Sequence, residues 1–141
     1  MPHDAHEPVM LREALEFLAA QPGRILVDAT LGLGGHAEAL LERVAPDGRV
    51  VGIDRDPVAL ERARTRLMRF GDAFTAIRGN HGDLSRLLDE QGLDAVDGIL
   101  FDLGLSSMQL DDAERGFSFR FDGPLDMRMD PDSPTSAADL L

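Results

Sequence analysis

The sequence contains no cysteine and no lysine. Without cysteine the chain forms neither disulfides nor thiolate metal sites. Its 14 basic residues are all arginine, so a Schiff-base lysine and the lysine of a P-loop are both excluded. No apolar run approaches the roughly 20 residues that a membrane span requires, and the acidic, polar start MPHDAHEP lacks the pattern of a signal peptide. These absences predict a cytoplasmic protein with no membrane association and no metal; His3 and His6 are not expected to form a metal pair.

Positive charge is also scarce. The formal net charge is −12, which argues against a stand-alone nucleic-acid-binding protein because such proteins normally present a basic face. An enzyme whose basic surface lies elsewhere is still compatible with this charge. A length of 141 residues with 43% hydrophobic residues is that of one domain with its own core.

Apolar strand-like runs alternate with segments of helical period along the first hundred residues. The pattern predicts helices at 8–20, 36–44, 57–70 and 83–90, and strands at 25–29, 49–54, 73–78 and 98–102. Such alternation with short connections specifies an α/β fold, a doubly wound parallel sheet covered by helices on both faces. The ligand site of this architecture lies at the carboxyl ends of its strands.

The pattern changes after Leu105. The stretch from 106 to 135 is rich in Asp, Gly, Pro and Ser and shows no sustained period, so composition alone predicts a loop. Phe117, Phe119 and Phe121 occupy alternate positions, which a disordered linker rarely shows, and we therefore predict a long ordered loop over the site. We expect the three phenylalanines to form core beneath the loop rather than stacking platforms for bases. The final SAADLL predicts the start of a helix.

The stretch ILVDATLGLGGHAEALL links the first strand to the second helix through a glycine-rich turn. Gly32-x-Gly34-x-x-Ala37 followed by Asp54 fits a dinucleotide fingerprint, with Asp54 as the ribose-binding acid. Asp28 at the end of the strand favours another ligand, because a carboxylate suits the ammonium group of S-adenosylmethionine (SAM). An NAD-dependent oxidoreductase remains the alternative at this point.

Three stretches carry a resemblance to a known family: HEPVMLREAL, GIDRDPVAL and DGILFDLGLSSMQLDDAERGFSFRFDGPLDMRMD. With the glycine turn they resemble the RsmH/MraW family over essentially the whole chain. The resemblance implies a Rossmann-like class I SAM-dependent methyltransferase that methylates the exocyclic N4 of a cytosine in small-subunit ribosomal RNA. It also implies that the chain is the amino-terminal part of a longer enzyme with an incomplete sheet. Residues 1–104 would be the SAM-binding half domain, and residues 105–141 an active-site loop and the start of an inserted helical domain.

The resemblance also implies a set of site residues. Asp102 would be catalytic, and the SAM contacts would be Gly34, Gly35, His36, Asp54, His81, Asp102 and Gln109. His81 stands where relatives often have a phenylalanine beside the adenine. A truncated SAM-binding module without turnover is the competing non-enzymatic hypothesis. Methylation at cytosine C5 is disfavoured because it normally requires a cysteine nucleophile.

Overall fold

A four-stranded parallel sheet organises the first part of the chain in the computed structural model, which describes residues 8–141. Its strands are β1 (Ile25–Asp28), β2 (Arg49–Asp54), β3 (Phe74–Arg78) and β4 (Gly98–Leu100), in the spatial order β3-β2-β1-β4. All three strand pairings are parallel. The chain moves outward from β1 to β3 and then returns to the other side of β1, so the strand order reverses between β1 and β4. Ligand crevices of doubly wound sheets open at such a point.

Residues 8–141 also form six α-helices and three short 3-10 helices, of which α1 precedes β1 and the others connect or follow the strands. The α-helices are α1 (Leu11–Phe17), α2 (Gly35–Val44), α3 (Pro57–Leu67), α4 (Leu84–Glu90), α5 (Ser107–Asp111) and α6 (Ala137–Leu140). The 3-10 helices span Met68–Ala73, His81–Asp83 and Ala113–Arg115. The predicted order of helices and strands is confirmed through β4; half of the predicted termini agree with the structure, and the other half are shifted by one to three residues.

Side-chain alternation along the strands builds two apolar clusters, one on each face of the sheet. Leu26 and Val50 belong to the cluster that includes buried residues of α1, α2 and α3. Val27 and Val51, their neighbours in sequence, belong to the cluster that includes Leu87 of α4. Both faces are therefore covered, which confirms the doubly wound architecture. Burial of each such side chain stabilises the fold by about 1.5–3 kcal/mol.

The first helix begins later than its sequence pattern predicts. Pro8 was expected in the first helical turn, but α1 begins at Leu11, after Met10 in a left-handed conformation with φ 52°. Pro8 lies instead against the start of α2, where a Cβ atom on Gly35 would approach its Cγ atom to 2.6 Å. The packing of Pro8 on α2 thus outweighs the local preference of proline for a helix start.

The chain divides into two compact units between Asp102 and Leu103. The second unit carries few periodic apolar residues, and polar groups order it instead. The Arg115 guanidinium donates hydrogen bonds to the carbonyl oxygens of Met129 at 2.7 Å and Arg128 at 3.3 Å. The Arg128 guanidinium in turn donates to both carboxylate oxygens of Asp126, at 2.8 and 2.9 Å. These hydrogen bonds order the segment, as predicted; its placement over the site and the functional division at residue 104 stay predictions.

The three phenylalanines of the second unit do not all behave as core. Phe119 is fully exposed and Phe121 is about half exposed, so the expectation of core is wrong for Phe119 and only partly met for Phe121. They line, with Leu110 and Phe117, a surface cavity of about 390 Å³. Tight polar turns fix the backbone here, and the alternating aromatic pattern therefore does not translate into burial.

Among residues 8–141, no helix is both long enough and apolar enough to cross a membrane.

Candidate functional site

The carboxyl ends of β1, β2 and β4 bring together most of the residues expected at the site. Asp28 ends β1, Asp54 ends β2, and Asp102 follows β4 by two residues. Besides burial, the pKa of Asp28 depends on three neighbours: His36 lowers it, and Asp54 and Asp102 raise it. Strand order explains this grouping, because β2 and β4 flank β1 on its two sides.

The glycine turn between β1 and α2 depends on two left-handed residues, Gly32 with φ 53° and Gly34 with φ 87°. A Cβ atom on Gly34 would lie 3.1 Å from Cδ1 of Leu67 in α3, so this glycine lets α3 pack closely. At Gly32 the nearest atom to an added Cβ, the Thr30 carbonyl oxygen, is 4.0 Å away. Gly34 and Gly35 are therefore required by contacts within the protein, whereas Gly32 faces open space where a ligand could approach the backbone.

Asp54 holds the glycine turn from the neighbouring strand. Its Oδ2 atom accepts a hydrogen bond of 2.8 Å from the Gly32 N–H, and its Oδ1 atom accepts one of 2.8 Å from the Asp56 N–H. These two bonds fix the orientation of the carboxylate and leave lone pairs on both oxygens for a ligand hydroxyl. Asp56 has a separate capping role, since its side chain accepts the Val58 N–H at 3.0 Å at the start of α3.

Asp28 is the most unusual group of the site because it is 1% exposed and incompletely bonded. Its Oδ1 atom accepts a 3.2 Å hydrogen bond from the Thr30 N–H, but its buried Oδ2 atom has no hydrogen-bond partner among residues 8–141. Burial raises the pKa of this carboxyl to about 6, although the bond from Thr30 lowers it. A buried carboxylate oxygen without a donor is costly unless a ligand supplies one. The chemistry of this group fits a cationic or N–H-bearing ligand.

His36 and Asp102 face one another at the start of α2. The His36 ring is buried, and its Nε2 atom lies 2.9 Å from the Val9 carbonyl oxygen. Its Nδ1 atom lies 3.9 Å from Oδ2 of Asp102. The Asp102 backbone N–H donates a 2.7 Å hydrogen bond to Oγ1 of Thr30, which ties the segment after β4 to the turn after β1.

His81 lies beyond β3, at the far edge of the sheet, yet its ring reaches the segment after β4. The ring meets the ring of Phe101 edge to face, with centroids 5.8 Å apart and an interplanar angle of 81°. Asn80 begins the short helix at His81 by accepting the Gly82 N–H at 2.9 Å. The pair offers a partly exposed aromatic surface at the same rim.

Gln109 belongs to the second unit and has a clear local role there. Its side-chain oxygen accepts the Ser106 N–H at 3.1 Å, and its own N–H donates to Oγ of Ser106 at 3.2 Å. This reciprocal arrangement is a capping box that begins α5. The cofactor contact expected for Gln109 stays a prediction.

Three residues that contribute to the site were not identified from the sequence. Thr30 was passed over although it is a polar residue within the turn, and it fixes the backbone of Asp102. Phe101 was placed within the fourth predicted strand, but it lies beyond β4 and is half exposed. The Val9 carbonyl has no signature in the sequence, since every residue carries one.

No group of three acidic or histidine side chains among residues 8–141 is arranged to hold a metal ion. His3 and His6 lie outside the described residues.

The pattern of the MraW methylase family matches residues 3–141. The chain belongs to the MraW methylase family. It is 57% identical over 136 residues to the ribosomal RNA small subunit methyltransferase H of Trichlorobacter lovleyi, covering 96% of this chain and 44% of that protein. Its identity to the enzyme of the same name from Thermobifida fusca is 56% over 143 residues, covering 99% and 43%. The chain thus spans less than half the length of these relatives.

Solved structures show the same fold. A chain described as a candidate rRNA methylase from Clostridium thermocellum superposes with a TM-score of 0.58 and 26% identity, over 67% of this chain and 51% of that one. An rRNA methylase from Streptococcus thermophilus gives a TM-score of 0.54 and 24% identity, over 70% and 57%. These likenesses confirm the Rossmann-like methyltransferase fold.

Proposed function

We propose that this chain forms the SAM-binding part of an enzyme that methylates the exocyclic N4 of a cytosine in small-subunit ribosomal RNA. Family membership supports the reaction class, and the unpartnered Oδ2 atom of Asp28 supports the cofactor. The position of that oxygen argues against a dinucleotide, because a pyrophosphate would bring further negative charge toward a buried carboxylate. A cytoplasmic location accompanies a ribosomal RNA substrate.

The residues at the carboxyl ends of the strands would each contact a different part of the cofactor. Asp28 would accept a hydrogen bond from the ammonium group of SAM, and Asp54, already oriented by two backbone N–H groups, would accept the ribose hydroxyls. His81, edge to face with Phe101, would lie beside the adenine. The backbone at Gly32, which faces open space, admits the ligand closely. Roles for Gly34, Gly35 and Gln109 in cofactor binding remain part of this proposal.

Asp102 carries the proposed chemistry. When bound, SAM supplies an electrophilic methyl group. The amine of cytosine is a poor nucleophile because its lone pair is delocalised into the ring. A carboxylate oxygen of Asp102 that accepts a hydrogen bond from this amine localises the lone pair and orients it for in-line attack. Because Asp102 is about half exposed, an incoming base has access to it. The base must leave its stack or arrive single-stranded.

The cofactor assignment is tested by calorimetric titration of the chain with SAM, with NAD as the control. Saturable binding of SAM and no binding of NAD is the expected result. Binding of NAD alone would overturn the proposal. Binding of SAM by a complete protein that transfers no methyl group to small ribosomal subunits would instead favour the non-catalytic module.

The role of Asp102 is tested by Asp102→Ala in the complete protein. We expect methyl transfer to fall by about 100-fold or more, because the substitution removes the group that orients the amine, while SAM affinity and fold are kept. Transfer of labelled methyl groups to unmodified small ribosomal subunits measures the effect. Asp94→Ala, which removes an exposed carboxylate in the loop before β4, is the matched control and should leave turnover unchanged. Near-normal turnover of Asp102→Ala would remove the assigned role.

A further inference from the structure

Both ring nitrogens of His36 have a polar neighbour in the protein, which is unusual for a residue expected only to contact a cofactor. It lies in the first turn of α2 and is 8% exposed. One nitrogen lies 2.9 Å from the Val9 carbonyl oxygen, and the other lies 3.9 Å from Asp102. The ring therefore bridges the segment before α1 and the segment after β4.

The chemistry of the partners fixes the roles of the two nitrogens. A carbonyl oxygen only accepts hydrogen bonds, so Nε2 of His36 carries a hydrogen and donates it to Val9. Nδ1 then faces the Asp102 carboxylate, and it can act as a donor toward that carboxylate only in the imidazolium form, in which both ring nitrogens carry a hydrogen. Asp28, at the end of β1, is the other charged group that acts on this ring. The anchored nitrogen determines where the second nitrogen lies.

Two contacts act on Asp102, one on its main chain and one on its side chain. Oγ1 of Thr30 accepts the backbone N–H of Asp102 at 2.7 Å and so holds the main chain. His36 faces the Oδ2 atom of the side chain, which is 48% exposed. With Oδ2 directed toward the ring, Oδ1 is left for another partner.

We propose that His36 is a positioning residue that orients the Asp102 carboxylate toward the methyl-accepting amine, rather than a side-chain contact of the cofactor. The inference rests on the proposed function, which assigns Asp102 its role. It gives each residue of the GGH turn a structural reason. Gly34 and Gly35 allow α3 and Pro8 to pack closely, and His36 links the turn to the segment after β4. Nδ1 of His36 therefore contacts a residue of the protein and not the cofactor.

Two substitutions separate the functions of the two nitrogens. In His36→Asn the amide nitrogen takes the place of Nδ1 near Asp102, and the bond to Val9 is lost. In His36→Gln the longer side chain reaches toward Val9, and the group facing Asp102 is lost. The readouts are kcat and the KM for SAM in the complete protein, with the thermal midpoint as the check on folding.

We expect kcat of His36→Asn to stay within about threefold of the wild type and kcat of His36→Gln to fall by about 10- to 100-fold, with KM for SAM unchanged in both. Glu42→Gln, on the exposed side of the same helix, is the control and should leave kcat unchanged. A kcat lower in His36→Asn than in His36→Gln would show that turnover depends on the bond to Val9 and not on the contact with Asp102. A raised KM for SAM in both variants would show a direct cofactor contact. Either result would overturn the inference.

A measurement independent of activity completes the test. The ring nitrogens of His36 are observed by nitrogen-15 NMR in the complete protein before and after Asp102→Asn. We expect the Nδ1 resonance to shift and the Nε2 resonance to stay; a spectrum unchanged at both nitrogens would overturn the inference. If the wild-type protein transferred no methyl group, the proposed function would fail, and the NMR result alone would decide whether His36 holds Asp102.

Discussion

The two units of the chain are ordered by different forces. In the unit that ends at Asp102, large side chains such as Leu26, Leu41 and Ile53 are at most 1% exposed. Of the side chains that the structure describes between 103 and 141, Gln109 alone is almost fully buried, and it is polar. The first unit gains its stability from apolar surface removed from water, whereas the second relies on hydrogen bonds of charged groups.

The difference teaches where rigidity at the candidate site originates. Asp28 and Asp54 lie at the ends of buried strands, so the sheet fixes their backbone positions. In the second unit, the network of Arg115, Arg128 and Asp126 fixes a loop that has no strand beneath it. Charge-assisted bonds hold geometry well but are sensitive to loss of a single partner, whereas a core distributes its contacts over many side chains.

The largest expected effect comes from truncating the core of the first unit. Leu26→Ala removes a fully buried side chain from β1 and leaves a cavity, so the free energy of unfolding should fall by about 2–5 kcal/mol. Chemical denaturation followed by circular dichroism measures it. Phe119→Ala removes a large apolar side chain from the second unit, but one that is fully exposed, and should change stability by less than about 0.5 kcal/mol. Equal losses in the two variants would contradict the comparison.

The next effect is a pH response of opposite sign in the two units. Burial raises the pKa of Asp28 to about 6 from 3.8, so the native state binds a proton more tightly than the unfolded chain. Stability contributed through Asp28 therefore falls as pH rises from about 4 to about 6, by about 2–3 kcal/mol in total, and is constant above this range. Asp28→Asn should lose this dependence. The difference in unfolding free energy between variant and wild type, measured from pH 4 to pH 7, checks the prediction.

Asp126 responds in the other direction. The bonds from Arg128 lower the pKa of its carboxyl to about 2, so the stability that it contributes is complete above about pH 4 and is lost as pH falls toward 2. Protection of the amides in the second unit from hydrogen exchange should therefore be the same at pH 7 and pH 5, once it is corrected for the pH dependence of the intrinsic exchange rate. Loosening of that unit within this window would contradict the assignment of Asp126 as the paired carboxylate.

A smaller, local effect is expected when the charged network is cut. Arg128→Ala removes the partner of Asp126, whose carbonyl oxygen accepts the Ala137 N–H. Protection of the Ala137 and Ala138 amides from hydrogen exchange should fall by about tenfold, while the amides of β2 keep their protection. Arg120→Ala, which removes an exposed arginine of the same unit, is the matched control. Loss of protection in β2 would show that the two units depend on one network.

The last comparison lies within the glycine turn of the first unit, where two glycines are present for different reasons. Gly32→Ala places an alanine at φ 53° in open space and should cost about 1–2 kcal/mol of strain. Gly34→Ala adds to such strain a contact with Leu67 and should cost more. Gly32→Ala should weaken SAM binding more than Gly34→Ala does, relative to the effect of each on stability, as calorimetry on each variant measures. Equal effects on binding would contradict the assignment of Gly32 as the open side of the turn.

Much of the first unit is predictable because its physics is local. The apolar run within 49–54 predicts β2 with its observed ends, and the predicted helix start at residue 57 is that of α3, where the Asp56 side chain accepts the Val58 N–H. The same local reasoning fails at Pro8, whose position is decided by its contact with Gly35. It also fails at Phe119, which is fully exposed, because a short alternating pattern does not determine whether either face of the segment packs against a core.

The sequence by itself determined the order of strands and helices, the parallel doubly wound class and the residues that follow each strand. Period, glycine and proline act over a few neighbouring positions, so they are readable from the chain. Tertiary structure alone decided that Oδ2 of Asp28 is buried without a partner and that Nδ1 of His36 faces Asp102. Burial and distance between residues 66 positions apart depend on how strands pair and helices pack, and no local pattern encodes them.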